Sequence, residues 1–501
     1  MEVLKKYKHQ IVFHLLLNII ICVFITFSCY YHIPVYKIND FSFYAIHFLV
    51  LQFSVFGIVY FLSLNKYVFK VVFPILFLIF SGIAYWVYTM DIAVSHSTIQ
   101  IVLETKPDIV AGLISIPLLI HTILTVIALI VIFKFYNKLT LNSIKSPLTL
   151  LAIIGILGYF VVENYRYGTF NRKMPYNVAI SFRDYLSQNK LVLKKIENKV
   201  SSNVEALNVV FILGESVRAD HLQTNGYYRK TTPLLAKKDN LISFPKTYTP
   251  LTYTAISVPQ ILSNATLTDD YSKPKYSLID VLNKANIQTN WIGNQTPEKS
   301  YETFIQQSSF NTILDPLHSE LSFQKSYDEN LLPVFKTIFK PNQNQFTVLH
   351  MMGSHWWYET RYPDKYRIFK PVIKSKHVNS NSKEEMINSY DNTIVYLDFF
   401  INETIKHIEN QNSNTILIYL SDHGEILGEN NLWLHAQPEK ASENPAMLIW
   451  YSEKFKQQNQ TIISRLQSHK NKTIPLDFFF NSILELYKID GIPYEKQKSI
   501  F

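Results

Sequence analysis

Two regimes of hydrophobic patterning divide the chain. Up to about residue 164 it is a series of long apolar runs, at 11–27, 42–63, 71–89, 110–134 and 148–163. Each approaches or exceeds the roughly 20 residues that carry a helix across a bilayer. Lys5, Lys6 and Lys8 precede the first run and no small-residue cleavage site follows it, so it reads as an uncleaved anchor. Lysines also gather between the second and third runs (Lys66, Lys70) and between the fourth and fifth (Lys134, Lys138, Lys145). The excess of positive charge on cytoplasmic loops then puts loops 31–41 and 90–109, and everything after the fifth run, outside. Five crossings put the C-terminal two-thirds in the periplasm of a bacterium, as for a multi-pass protein of the inner membrane, or outside the cell if there is only one membrane. In the outer loop, STIQIVLET reads either as a short amphipathic helix on the membrane face or as a plain connector. Residues 165–207 form a polar linker, and the spacing in 181–200 predicts a bridge helix along the membrane surface.

From residue 208 the pattern changes. Short runs rich in β-branched and aromatic residues, at 208–213, 289–294, 346–355, 414–424 and 443–452, read as strands. Amphipathic stretches such as 276–286 and 383–410 read as helices between them. Apolar strands alternating with helices predict an α/β domain over 208–501 with a mostly parallel central sheet covered on both faces. The transmembrane domain takes 1–164.

Composition changes this picture little. The chain has 501 residues, 48% of them hydrophobic, and a formal net charge of +9, which suits work near anionic lipid. No Arg/Lys stripe interleaved with aromatics appears, so nucleic acid is not expected as a partner. The only two cysteines, Cys22 and Cys29, lie in the first apolar segment, which excludes a cysteine zinc site or a disulfide framework for the outer domain.

The candidate chemistry lies where polar residues end strands. Glu215 follows the first strand, His355 the third, and Asp422 and His423 the fourth. Strand C-termini share one edge of a parallel sheet, so these residues can converge there. Two carboxylates, a histidine and a hydroxyl form a nitrogen–oxygen set suited to zinc and compatible with manganese. Thr247, Thr249, Thr252, Thr254 and Ser257 crowd one segment before Pro259, and one of them is a candidate nucleophile. His355 and His435 are weaker candidates; His350 reads as a buried, hydrogen-bonded core histidine, and Glu425 and Glu429 as supporting or solvated groups.

The segments GESVRADH, TYTAISVP, MGSH, YDNTIVYLD and YLSDHGEILGEN resemble, in order, the phosphoethanolamine transferases of the alkaline phosphatase/sulfatase superfamily. The likeness is greatest to the lipid A enzymes, which include colistin-resistance proteins, and it covers nearly the whole chain. It implies five transmembrane helices before an alkaline-phosphatase-like zinc domain. It also implies Glu215, Asp422 and His423 as Zn2+ ligands, with Thr254 as nucleophile and fourth ligand and Thr252 and Thr249 as alternatives. His355 and His435 match histidines near substrate or a second metal. Asn294 matches a donor-contacting asparagine, Lys299 stands one position late for a lysine that follows it, and Glu104 lies in IQIVLET, similar to a loop near the donor lipid. The sequence departs from the family at Pro250 and Gln260, which replace cysteines around the nucleophile, and in a shorter loop after 432–447.

What the resemblance implies is a two-step reaction. Phosphoethanolamine passes from phosphatidylethanolamine to a metal-activated threonine, then to a lipid A phosphate or lipopolysaccharide core sugar, with a histidine shuttling the proton. The protein is expected to act as a monomer. Transfer of phosphoglycerol, or a phosphodiesterase acting on another periplasmic glycan, is the alternative chemistry on such a scaffold; a non-catalytic binding protein is a third reading. Sulfate hydrolysis is disfavoured because the Thr254 region lacks a C/S-x-P-x-R context.

Overall fold

The computed structural model describes residues 6–501 except 91–93, 95–98, 100–115, 140–141, 166–168, 187–191, 270–271, 315–326, 376–377 and 436–438. It divides into two compact units, Met1–Gln188 with Lys374–Ser380, and Asn189–Ile373 with Asn381–Phe501.

In the first unit, five helices are long and apolar enough to cross a membrane: Lys8–Thr26, Ile38–Leu64, Lys66–Thr89, Ile116–Tyr136 and Leu148–Tyr165. The third starts five residues before the apolar run, because Lys66 and Lys70 continue the helix beyond its hydrophobic stretch. Helices Ile38–Leu64 and Leu148–Tyr165 pack backbone to backbone. A Cβ on Gly155 would lie 2.2 Å from the Phe53 carbonyl oxygen, and one on Gly57 2.5 Å from that of Ala152. Small residues permit such approach where no hydrophobic drive separates helix from lipid.

The bridge helix is shorter than its pattern predicts. It runs Tyr176–Leu186, and residues 192–200 are not helical. Lys194 N–H bonds to the Lys275 carbonyl at 2.7 Å and Ser201–Ser202 pairs with Ile489–Asp490. These partners satisfy the backbone outside a helix, while Ile196 and Val200 sink into the core. Tertiary packing overrides the local periodicity.

The second unit is built on a seven-stranded sheet. Its strands are β1 (Leu207–Gly214), β2 (Leu241–Phe244), β3 (Gln288–Gly293), β4 (Phe310–Ile313), β5 (Gln345–His350), β6 (Asn414–Ser421) and β7 (Met447–Tyr451). The order is β2-β7-β6-β1-β5-β3-β4. Strands β6, β1, β5, β3 and β4 run parallel, whereas β7 is antiparallel to both its neighbours. The mostly parallel α/β sheet is therefore as expected, with two additions. Edge strands β2 and β4 have four residues each, too few to show a period. Central β1 is buried at every position: Val209, Phe211 and Leu213 enter one core cluster, and Val210 and Ile212, facing the other way, are equally covered.

Neither cysteine forms a disulfide, and ion networks around the buried Arg218 and Asp391 hold the loop after β1. The Arg218 guanidinium grips Asp220 through two bonds of 2.8 and 2.7 Å and Glu429 at 2.6 Å. Glu429 is thus a structural ion-pair partner. Fully buried Asp391, on helix Lys383–Glu409, collects His221 (2.7 Å), Arg229 (2.9 Å) and Tyr227 (3.0 Å).

Candidate active site and metal centre

Register explains why the two acidic residues meet. Gly214 of β1 pairs with Ser421 of β6 as parallel partners at the C-terminal ends of both strands. The next residue on each strand, Glu215 and Asp422, therefore emerges at one edge, and Asp422 N–H still bonds to the Gly214 carbonyl at 3.2 Å. Ser216 turns the chain away with φ of 60° and donates its hydroxyl to Glu215 Oε1 at 2.7 Å. Helix α1 (Thr254–Ile261) begins here. Thr254 Oγ1 donates to Glu215 Oε2 at 2.7 Å and Ser257 Oγ to Asp422 Oδ2 at 3.4 Å, two hydroxyls three residues apart on one helix face.

Glu215, Asp422 and His423 each offer a ligand atom, all within 4.8 Å of one another, and all three residues are buried. His423 Nδ1–H donates to the Gly424 carbonyl at 2.8 Å, which leaves the Nε2 lone pair directed elsewhere. Nε2 lies 3.3 Å from Glu215 Oε1 and 3.4 Å from Asp422 Oδ2, yet it has no hydrogen-bond partner. A buried ring nitrogen without a bond, facing two buried carboxylates that do not bond each other, is a donor set that a divalent cation completes. Without a cation the charges adjust among themselves. Burial and the Glu215 charge push the Asp422 carboxyl up to about 7. Burial pushes Glu215 the same way, but His423 more than reverses this and holds it well below the usual range. Burial would lower His423; Asp422 and Glu215 outweigh that and raise it to about 10.

Two further imidazoles stand beside the cluster. The His435 ring centroid is 4.7 Å from that of His423 and 5.5 Å from that of His355. Glu425, fully buried, bonds His435 Nδ1 at 2.9 Å and accepts the Tyr358 hydroxyl at 2.5 Å. Glu425 is therefore the group that fixes the His435 ring. Burial lowers the His355 pKa to about 3, so this ring is neutral at physiological pH. His350 is buried as expected, between Trp291 and Tyr301, but its Nδ1 has no hydrogen-bond partner. Burial lowers its pKa to about 4.

Residues 207–489 match the family model described as Sulfatase, a stretch longer than half of the 501-residue chain. The chain belongs to the sulfatase family. Residues 52–187 match a second model, described as phosphoethanolamine transferase EptA/EptB. Phosphoethanolamine transferase EptA of Escherichia coli (strain K12) is 30% identical over 316 residues, 60% of this chain and 57% of that protein. The chain thus spans somewhat over half the length of that relative. The integral membrane protein lipooligosaccharide phosphoethanolamine transferase A of Neisseria meningitidis shares the fold, with TM-score 0.57 and 24% identity over 93% of each chain. The C-terminal periplasmic domain of EcEptC from Escherichia coli, solved in complex with Zn, covers 62% of this chain and 90% of its own, with TM-score 0.54 and 23% identity. The chain is a multi-pass inner-membrane protein with its sulfatase-family domain in the periplasm.

Within that family domain, the remaining expected residues separate. Thr247 and Thr249 are bound up in loop contacts, the former to Pro445 and Asn444 and the latter accepting Leu251 N–H at 3.1 Å. Of the clustered threonines, Thr254 is the one that hydrogen-bonds the acidic pair. Asn294, just past β3, turns to Asp328 with its Nδ2 at 2.8 Å from Oδ1, while the next residue, Gln295, reaches Glu215 Oε2 at 3.4 Å. Successive residues leave a strand on opposite sides, so a shift of one position exchanges the two. Lys299 is half-buried in the turn at 299–300. Glu104 and the rest of IQIVLET lie outside the described residues.

The structure also explains Gly353. Its φ is +55°, and a Cβ there would stand 2.8 Å from the Glu215 carbonyl oxygen and 2.9 Å from its nitrogen. Gly353→Ala is expected to destabilise the domain by roughly 1–3 kcal/mol through strain at this position and to displace Glu215. Thermal melting together with metal content by atomic absorption checks it.

Proposed function

We propose that this membrane protein transfers phosphoethanolamine from phosphatidylethanolamine to a phosphate or sugar hydroxyl of lipid A or the lipopolysaccharide core, through Thr254. One observation carries the reading: the Thr254 hydroxyl, first in helix α1, rests on a carboxylate of the buried Glu215–Asp422–His423 cluster. The match of 52–187 to the EptA/EptB model supports the donor and acceptor class.

Glu215, Asp422 and His423 would hold the metal, and zinc fits this nitrogen–oxygen set; the related EcEptC domain was solved in complex with Zn. When bound, the ion supplies a Lewis acid that lowers a hydroxyl pKa and offsets charge on phosphoryl oxygens. In the first step the Thr254 Oγ–phosphorus bond forms and the bond to the diacylglycerol oxygen breaks; the threonine proton ends on that oxygen. In the second, an acceptor oxygen displaces Thr254, which regains a proton. His355, neutral because buried, and His435, held at Nδ1 by Glu425, carry those protons. The first-turn N–H groups of α1 favour the phosphate. Holding both substrates as membrane lipids is the task of the helical domain, and the protein acts as a monomer.

Mass spectrometry of lipopolysaccharide from cells with and without the protein tests this. A phosphoethanolamine increment is expected; a phosphoglycerol increment, or none, would overturn the reading.

A further inference from the structure

We propose that Asp328 and Arg361 are positioning residues, two buried charges of opposite sign that grip the turn at 351–356 from its two ends and fix where His355 stands. This rests on the transferase reading only in that it gives His355 a step to perform.

The turn follows β5 and is bonded to the metal-cluster edge. Met351 N–H bonds the Leu213 carbonyl at 3.0 Å, and Ser354 N–H the Glu215 carbonyl at 2.9 Å. Asp328 is 1% exposed and lies under the first half: Oδ1 accepts Met352 N–H at 2.8 Å and Oδ2 accepts Gly353 N–H at 3.0 Å. Arg361, 2% exposed, holds the second half: Nε donates to the His355 carbonyl at 2.9 Å and Nη2 to the Trp356 carbonyl at 3.2 Å.

Neutral side chains would satisfy those four backbone groups without burying a charge. A buried carboxylate costs free energy unless it is well bonded, and burial does push the Asp328 pKa up. What ionised groups add is bond strength and, for arginine, a rigid fork with a fixed direction. The fork straddles His355 and Trp356, and the carboxylate straddles Met352 and Gly353, so the backbone is held on both sides of His355. Asn294 completes the device by bonding Asp328 at 2.8 Å, which gives that residue a supporting role. Neither charge hydrogen-bonds the side chain of Glu215, Asp422, His423 or Thr254; both hold backbone groups of the turn. The turn they hold also bonds the Glu215 carbonyl through Ser354 N–H. The side chain it presents beside the cluster, however, is His355, whose ring stands 5.5 Å from that of His435, and we place their effect on the reaction there.

The test uses the full chain in lipid nanodiscs with a phosphatidylethanolamine donor and purified lipopolysaccharide. Arg361→Lys keeps the charge and loses the fork; Arg361→Gln loses both; Asp328→Asn keeps the shape. Each is expected to lower kcat about 10–100-fold, the scale of a misplaced reacting group, with KM and bound zinc unchanged and Lys milder than Gln at 361. Combined with His355→Ala, none should slow the reaction beyond His355→Ala alone. Full multiplication of the two effects would reduce Asp328 and Arg361 to structural support and overturn the proposal, as would an undiminished rate in His355→Ala. Amide exchange across 351–356, which needs no turnover, should rise in each variant while β1 and β6 keep their protection; unchanged exchange also refutes it. A wild type that transfers no phosphoethanolamine would defeat the transferase reading by itself, and the exchange result would still decide whether the grip exists.

Discussion

Thr254→Ala is expected to abolish transfer, with a loss of at least ~10^3-fold in kcat, as removal of a nucleophile that acts as a unit with its neighbours commonly gives. Folding and bound metal should change little. The position opens a helix, where alanine is a good former, and the residue is already 8% exposed. The lost contact is one hydrogen bond to Glu215 Oε2, an oxygen that Gln295 also approaches at 3.4 Å. The metal cluster itself uses Glu215, Asp422 and His423, none of which needs the methyl or hydroxyl of residue 254 to stay in place. Thr254→Ser should retain part of the activity, since it keeps the hydroxyl and loses only the methyl group that restricts its rotamers. Mass spectrometry of the acceptor and of the tryptic peptide carrying residue 254 reads both outcomes. Full activity in Thr254→Ala would move the nucleophile to Thr252 or Thr249. The structure disfavours Thr249, which is fully buried with its hydroxyl engaged by Leu251 N–H.

Much of this site was legible in the sequence because strands announce their own ends. An apolar run that stops at Gly-Glu-Ser, and another that stops at Ser-Asp-His-Gly, place carboxylates at a strand C-terminus, and a parallel sheet brings such ends to one edge. The in-register pair Gly214 and Ser421 is the physical form of that rule. Less legible were contacts fixed by a single position of register or by a turn. Asn294 and Gln295 are neighbours of similar chemistry, and which of them faces Glu215 depends on where β3 stops. Asp328 opens one three-residue 3-10 helix and Arg361 caps the end of another, elements too short to show a period, and their partners are backbone atoms, which no residue pattern displays. The segment 192–200 carries helical spacing yet forms no helix, because Lys275 and Ile489–Asp490 supply its backbone partners. Long-range pairing of this kind has no local signature. The missing cysteines were legible as an absence, whereas the replacement, charges gathered around Arg218 and Asp391, became visible only in three dimensions.

Removing the metal should both stop transfer and destabilise the periplasmic domain, and the destabilisation should grow as pH rises. In the cation-free cluster Asp422 stands at about 7, above its ordinary 3.8. The folded state then keeps a proton that the unfolded chain has released, so stability is full below about pH 4 and is lost as pH climbs toward 7. His423, raised from 6.5 to about 10, contributes stability that is present below 6.5 and lost as pH rises through 10. Glu215 works the other way, since its carboxyl is held low; its contribution is complete above 4.5 and disappears only in acid. Between pH 5 and 9 the two raised groups therefore set the slope, and chelated protein loses stability throughout. A bound cation reverses this, because it takes the place of those protons and its affinity rises as they leave. Zinc at a thousandfold excess over its Kd stabilises by about 4 kcal/mol, so melting points with and without chelator should differ by several degrees and lie further apart at pH 8 than at pH 5.5. Scanning calorimetry of the solubilised full chain at both pH values measures the gap. A gap that narrows as pH rises, or a protein whose melting and transfer ignore chelators, would show that Glu215, Asp422 and His423 hold no metal.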